Sequence, residues 1–407
     1  MIVSNPQLLK LKKEQAPSHL DILFLTRTPR KQRYFTAVAR TALKHLRCRV
    51  VSYHDLPESC SVKIPEADLH SILGDALDEL FNARRDRVSR CLIPIVQHIR
   101  IIQIQKIYRR LYLLLHSTEP RLIAVWNGEK FQDRVLHCVN KTFKCPVAYF
   151  ENGVLPHSTT LDFNGVNAKN SVPRTPEFYL QQPLARSYNK KIVPRKFKNQ
   201  SREKAKSMAL PSHYILVPFQ KDRDSQILHN SCWIKSMQQL FNIMLQALEL
   251  QNDNALQIVF REHPDASTQY PELHQLAAQQ PRIQFNNQSD LQEAIQGAVA
   301  VVTINSSVGM DSLLLNQKVI VLGRAFYSLP GLVQLASNLN ELILALNTIT
   351  QFQLDQKLKD QFVDYLEKNY VIQGDWRFAD AQHFQSLKQK FDEFIAQHPM
   401  SFRVANQ

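Results

Sequence analysis

From residue 21 onward the chain alternates short apolar runs with stretches of helical periodicity, breaks off, and then begins the same alternation again. The first series is DILFLT (21–26), the helical KQRYFTAVARTALKHL, CRVVSY, a long helical region over about 67–116, RLIAVW (121–126), a helix to about 141 and PVAYF (146–150). The second is HYILVPF (213–219), a helix over about 231–250, LQIVF (256–260), a helix around 272–280, RIQF, a helix at 291–296, AVAVVTI (298–304), a helix at 306–316 and KVIVL. Two further helices are expected between 354 and 398. Strands that alternate with helices form parallel sheets covered by helices. The spacing therefore predicts an α/β chain of two facing Rossmann-like domains with parallel sheets and C-terminal helices. The expected boundaries are 1–180 for an N-terminal domain, 181–211 for a basic linker, 212–350 for a second domain and 351–407 for helices packing back across both. In open sheets of this kind ligands sit at the carboxyl ends of the strands.

Length and composition agree with this division. A chain of 407 residues exceeds one ordinary core, and 44% hydrophobic with 21% charged residues describes a globular protein. The opening MIVSNPQLLKLKKEQ lacks the apolar core and cleavage site of a signal peptide. No run approaches the roughly 20 apolar residues that span a bilayer. Six cysteines are scattered without CxxC spacing, so reduced thiols in the cytoplasm are expected and a zinc site is not. The net charge of +14 is concentrated: nine Lys/Arg face one acid between residues 186 and 206, and RRDRVSR (84–90) leads toward RIIQIQKIYRRLYLLL (100–115). The latter has the mix of an interfacial helix, against the simpler reading of a core-facing helix with a solvated basic side. Neither a recognition helix nor an RNA-binding aromatic motif is present, so nucleic acid is not an expected partner.

The unusual motifs all fall where strands should end. REHP follows LQIVF, placing Arg261, His263 and Pro264 at a strand terminus where the imidazole N–H groups can meet a phosphate. TINSSVGMDSLL ends a buried strand in Asn305, Ser306 and Ser307 and then opens a helix. Its free N–H groups and dipole favour an anion, although a single serine would suffice as a plain N-cap. FQKDRDSQILHNS follows HYILVPF and gathers Gln220, Asp224, Ser225 and Gln226. Its Asp222-Arg223-Asp224 superficially matches an Asp-x-Asp metal motif. In the first half RLIAVW ends in Asn127-Gly128, and PVAYF ends in Glu151, Asn152 and Gly153, where the chain should pass from strand to helix. If the halves face each other, Glu151 lies across a cleft from Asp224, His263 and Ser306. A carboxylate opposite a phosphate pocket is what glycosyl transfer from a nucleotide sugar needs: a base for the acceptor hydroxyl and donors for the leaving phosphate. A solvated glutamate in an Asn-Gly turn is the plainer alternative.

Taken in order, AYFENGVLP, DFNGVNAKNSVPRTPEFY, FQKDRDSQILHNS, REHP, VAVVTINSSVG and KVIVLGRAFYSLPGL resemble the bacterial capsule polysaccharide biosynthesis family. More narrowly they resemble its β-Kdo (3-deoxy-D-manno-oct-2-ulosonic acid) transferases. The acid-x-Gly, His-Pro and Ser-Ser motifs are also similar to those of two-domain bacterial sialyltransferases. The resemblance implies a GT-B-like fold, CMP-β-Kdo as donor and no metal cofactor. It implies Arg261, His263, Pro264, Asn305, Ser306 and Ser307 on the CMP phosphate, and Glu151 as general acid/base. Asp224 is implied as nucleophile of a retaining double displacement, with Gln220 positioning it. Asn127, Gly128, Asn152, Gly153, Ser225 and Gln226 complete the expected substrate-binding set. The implied partners are a lipid-linked or saccharide acceptor, other capsule assembly proteins and the anionic inner-membrane surface, with a cytoplasmic, peripheral location. CMP-sialic acid as donor, or a non-catalytic export partner with the same fold, are the competing expectations. The segment FLTRTPRKQRYF lacks the glycine-rich opening of relatives that add the first Kdo, and Asn152 stands where a second acid is common.

Overall fold

The computed structural model describes residues 19–58, 61–82, 93–183, 209–222, 224–264 and 270–398. Residues 184–208 of the basic linker expected at 181–211, the basic cluster at 84–90 and Arg223 lie outside the described residues. The first half builds β1 (Ile22–Thr26), α1 (Pro29–Thr41), β2 (Cys48–Ser52), α2 (Glu66–Asn82), α3 (Ile93–Thr118), β3 (Leu122–Trp126), α4 (Phe131–Phe143), β4 (Val147–Asn152), β5 (Ser158–Asp162) and α5 (Pro176–Leu180). The second half builds β6 (Tyr214–Pro218), α6 (Ser225–Asn230), α7 (Met237–Leu250), β7 (Gln257–Arg261), α8 (Pro271–Ala278), β8 (Ile283–Phe285), α9 (Leu291–Gly297), β9 (Ala300–Thr303), α10 (Ser307–Leu314), β10 (Val319–Val321), β11 (Gln334–Leu335) and α11 (Leu339–Thr348). The tail adds α12 (Gln356–Tyr365), β12 (Ile372–Gln373) and α13 (Ala381–Gln397).

Each half is a sheet covered on both faces, because every central strand is apolar on both sides. In β1, Leu23 and Leu25 pack with Ile104, Leu111 and Leu115 of α3 and with Val135 and Leu136 of α4. Ile22 and Phe24, pointing the other way, pack with Phe35 and Val38 of α1 and with Leu387 and Phe391 of α13. The second sheet repeats this: Ile215 and Val217 face Phe241 and Met244 of α7, while Tyr214 and Leu216 face Ala294 and Ile295 of α9. The strand orders are β12-β5-β4-β3-β1-β2 and β11-β10-β9-β6-β7-β8. The second sheet is parallel throughout, and so is the β4-β3-β1-β2 part of the first. The two halves are Rossmann-like domains facing each other in the GT-B-like manner. A separate core joins them, in which Leu155, Val172 and Tyr179 meet Met310, Leu313, Leu332 and Phe362.

In both sheets the chain changes direction once, between β1 and β3 and between β6 and β9. Such switch points leave a crevice at the carboxyl ends of the two central strands. Those ends carry Arg27 and Asn127 in the first domain, and Gln220 and Asn305 in the second.

Two expectations need correcting. The chain does not pass from strand to helix after Glu151: it turns at Gly153 and returns as β5, antiparallel to β4, with Glu151 paired to Thr160. Nor is the tail purely helical, since β12 adds an antiparallel edge to the first sheet beside β5. The polar STTLD of β5 carries no apolar strand signal, yet all five residues are buried. Its groups are satisfied from elsewhere: Thr159 Oγ1 donates to Gly374 O (2.8 Å) and accepts from Trp376 N (2.9 Å). Asp162 accepts from Asn164 N, Gly165 N, Ser171 N and Ser171 Oγ, which folds the loop that follows.

Candidate functional site

The wall contributed by the first domain is built on the ends of β1, β3 and β4. Arg27 follows β1, donates to Trp126 O (3.1 Å) and pairs with the buried Asp133 (3.0 Å), tying the two switch-point strands together. Thr28 caps α1, and Lys31 in its first turn stands 4.3 Å over the Trp126 ring. Burial pushes the Lys31 ammonium down to about 8; the charge of Glu151 opposes this drop and that of Arg27 adds to it. Neither Arg27 nor Lys31 was expected at the site, because charge in an N-terminal helical turn carries no sign of what it will face.

Asn127 and Gly128 both take positive φ, 71° and 78°, so the chain turns sharply off β3. The turn delivers the Asn127 amide to Glu151, with Nδ2 donating to Oε2 at 2.8 Å. The other carboxylate oxygen accepts from Asn152 N (2.8 Å) and Asn152 Nδ2 (3.0 Å). Asn152 is held in turn by Trp376 Nε1, which donates to its Oδ1 at 3.0 Å. Glu151 is thus an oriented, half-buried carboxylate with three N–H donors, not a solvated turn residue. Gly153 lets the hairpin close: a Cβ there would lie 1.9 Å from Ser158 Oγ and 2.3 Å from its carbonyl carbon.

Opposite stands the loop after β6. Asp224 caps α6, accepting from Gln226 N at 3.1 Å. Burial raises its pKa above the usual carboxylate value. The Gln226 N–H and the charges of Lys130 and Lys221 oppose that rise, and the charge of Glu151 adds to it. Lys130 and Glu151 belong to the first domain, so Asp224 lies in the field of the facing wall. Asp222 does not share this space. Its carboxylate accepts from Met237 N (2.8 Å) and Tyr270 OH (2.7 Å), so it fastens α7 and forms no ligand pair with Asp224.

Gln220 is placed differently from the expectation that it positions Asp224. Its buried amide pairs with Asn305, donating to Oδ1 at 3.0 Å and accepting from the backbone N at 3.3 Å. Asn305 Nδ2 then donates to Gln226 O (3.1 Å), and the Gln226 side chain accepts from Asn230 (2.8 Å). The network locks the ends of β6 and β9 and orients α6, so Gln220 acts on Asp224 at one remove. Ser306 caps α10, accepting from Val308 N at 3.2 Å, and its carbonyl accepts from Tyr327 OH at 2.5 Å. Ser307 is exposed in the first turn of α10 and Ser225 opens α6. Arg261 ends β7, where Nη1 donates to Ser289 Oγ (3.3 Å), and His263 and Pro264 follow it. Strand β6 stands between β7 and β9, so Arg261 and Ser306 flank the Asp224 loop roughly 10 Å apart rather than touching.

Beside Glu151 the cleft widens into a cavity of about 530 Å³ lined by Asn127, Gly128, Arg134, His137 and Tyr149 of the first domain and by Leu228 and His229 of α6. Arg134 bridges the walls, with Nη1 3.4 Å from His229 Nε2, and it also pairs with Asp75. His229 is pushed down to about 4 by burial, reinforced by Arg134, Lys169, Lys130 and Lys235. Lys169 comes from the loop folded around Asp162 and lies 3.5 Å from Glu129.

Fold and cleft define a two-domain α/β protein with acidic and basic side chains on facing walls. The model of the capsule polysaccharide biosynthesis protein family matches residues 121–206 and 184–376, and the chain belongs to that family. Protein FixF of Sinorhizobium fredii (strain NBRC 101917 / NGR234) is 31% identical over 268 residues, 66% of this chain and 64% of that protein. The chain thus spans somewhat less than two thirds of FixF. The capsule polysaccharide export protein KpsS of Escherichia coli is 25% identical over 275 aligned residues, covering 53% of this chain and 69% of KpsS. Among solved structures, the β-Kdo 2,7 transferase of Thermosulfurimonas dismutans KpsC superposes with a TM-score of 0.43 at 15% identity, covering 84% of this chain and 89% of that one. The UDP-GlcNAc 2-epimerase of Methanocaldococcus jannaschii gives 0.37 at 12% identity, covering 91% and 99%.

Proposed function

We propose that the chain is a glycosyltransferase of capsule polysaccharide synthesis that moves Kdo from CMP-β-Kdo to a lipid-linked or saccharide acceptor. The observation that carries this reading is the placement of Glu151 and Asp224 on facing walls: carboxylates from opposite domains, each oriented by N–H donors, with the charge of one acting on the other. In the proposed cycle the Asp224 carboxylate attacks the anomeric carbon and the bond to the CMP phosphate breaks. His263, Arg261, Ser306 and Ser307, with the N-terminal N–H groups of α10, stabilise the charge on the departing phosphate. Glu151 then takes the proton of an acceptor hydroxyl, whose oxygen attacks the glycosyl ester and frees Asp224 with retention of configuration. A donor with a single phosphate ester asks for less neutralisation than a diphosphate, so protein donors suffice and no metal is proposed. Lys31 gives the acidic sugar a partner for its carboxylate, and the cavity at Asn127 and His229 gives the acceptor a lobe beside the base.

The work belongs on the cytoplasmic face of the inner membrane, where the lipid-linked acceptor and other capsule assembly proteins would be met. Among the described residues no helix is long and apolar enough to cross a membrane, so a peripheral association is the one proposed. The test is CMP release by the purified protein, supplied with CMP-Kdo or CMP-sialic acid and a panel of saccharide and lipid acceptors. Acceptor-dependent release from CMP-Kdo is expected. Release from CMP-sialic acid alone would make the chain a sialyltransferase, and turnover with neither would favour an assembly or export role of the kind named for KpsS.

A further inference from the structure

Helix α3 carries apolar side chains on two opposite faces. Inward, Ile104, Tyr108, Leu111 and Leu115 are buried against the first sheet. Outward, Ile95, Ile99 and Ile102 are 56%, 49% and 51% exposed, at spacings of four and three residues, which sets them in one stripe about half a turn away from the core-facing residues. Among the described residues nothing covers the stripe. From Val88 to Thr118 the sequence holds no Asp or Glu, and Lys106 continues the outward line one turn beyond Ile102. Arg109 and Arg110, further along, are tied to the carbonyls of Val62 and Pro57, and Arg100 donates to Gln103 Oε1 (2.9 Å), so the exposed cation on the line of the stripe is Lys106.

Length places the stripe relative to the cleft. The 26 residues of α3 extend about 39 Å, whereas the five residues of β3 extend about 16 Å. The carboxyl end of the helix is level with the amino edge of the sheet, since Leu20 N donates to Thr118 O there. The amino end therefore overhangs the opposite edge, where the strands end and the cleft opens. Arg100 confirms the level: its guanidinium lies 5.4 Å from the ring of Phe131, the first residue of α4 after the Asn127-Gly128 turn. No residue from 93 to 103 is buried, so this overhang is built without contributing to the core.

We infer that the outward stripe of α3 is the face by which the protein docks on an anionic lipid bilayer. An apolar line that runs on into a lysine, on a helix free of acids, suits the boundary between acyl chains and phosphate headgroups. Isoleucines enter the boundary while Lys106 extends to the phosphates. A second copy of the chain would be a poorer partner, because each stripe carries a lysine and α3 itself has no acid to pair with it. Docked this way, the overhang sets the cleft mouth of the first domain against the membrane, where a lipid-linked acceptor would be met. The docking claim itself does not depend on which sugar is transferred.

The test uses the full chain and vesicles of phosphatidylcholine with phosphatidylglycerol, read by flotation with no donor or acceptor present. Ile95→Gln, Ile99→Gln and Ile102→Gln together should weaken partitioning about tenfold or more, with unfolding temperature and CMP release on a water-soluble acceptor unchanged. The difference should persist at high salt, where the contribution of the basic residues is screened. Ile99→Trp should strengthen binding, and Lys106→Glu should weaken it on anionic but not on pure phosphatidylcholine vesicles. Parent-like flotation of the triple variant would overturn the proposal. So would a parent dimer that becomes monomeric in the triple variant while vesicle binding stays the same. Loss of turnover with every donor would remove the proposed function and leave the docking face standing.

Discussion

Glu151 and Asp224 are each held by backbone and side-chain N–H groups, so isosteric amides separate chemistry from architecture. Asp224→Asn keeps an oxygen to cap α6, whereas Asp224→Ala would also lose about 1 kcal/mol of capping. Asp224→Asn and Glu151→Gln should each lower the rate of CMP release on the order of 10³-fold, with melting close to that of the parent. Near-normal turnover in Asp224→Asn would rule out the covalent route. Lys31 adds a pH signature. Its ammonium titrates near 8, so the cation is present below that value and lost above it. If it holds the sugar carboxylate, kcat/KM should fall as pH rises through about 8, and Lys31→Met should flatten that limb while lowering the plateau. The carboxylates were legible in the sequence because each sits at a strand end beside turn-forming residues. Lys31 and Trp376 were not, since one reads as an ordinary helix charge and the other reaches Asn152 from 224 positions away.

At the level of elements, the site depends on one tight hairpin and one buried amide network. Gly153→Ala forces a methyl group into the backbone of Ser158, so β4 and β5 must part. We expect a loss of roughly 1–3 kcal/mol from the strain and a larger loss of activity, because Glu151 and Asn152 move with the strand; denaturant unfolding alongside CMP release checks both. Most parallel strands and their helices follow from apolar runs and periodicity, and most were readable to within about six residues, although the two-residue parallel strand β11 and the short α6 were not. β5 and β12 were not, because a polar strand becomes stable only when the segment around Gly374 and Trp376 arrives to satisfy it. The family-like stretch after β5 has a similar explanation: its first aspartate, Asp162, gathers four donors from the loop it introduces.

For the whole molecule, the domain contact through His229 and Arg134 makes stability respond to acid. His229 takes its proton near 4 in the folded chain and near 6.5 when unfolded. Between those values the unfolded state binds the extra proton, so stability falls as pH drops from 6.5 toward 4. His229→Gln should shrink that decline in thermal unfolding scans; an unchanged decline would show that the contact does not couple to folding. The amino-acid sequence alone determined the two-sheet architecture, the strand ends that bear chemistry and the family, because hydrophobic periodicity and local turn residues are properties of neighbouring positions. Tertiary structure decided which groups meet: Lys31 with Trp126, Gln220 with Asn305 rather than Asp224, Trp376 with Asn152, and an isoleucine stripe left facing outward. Those outcomes depend on how separated segments pack and what they bury, and no local pattern encodes the partner a side chain will find across a cleft.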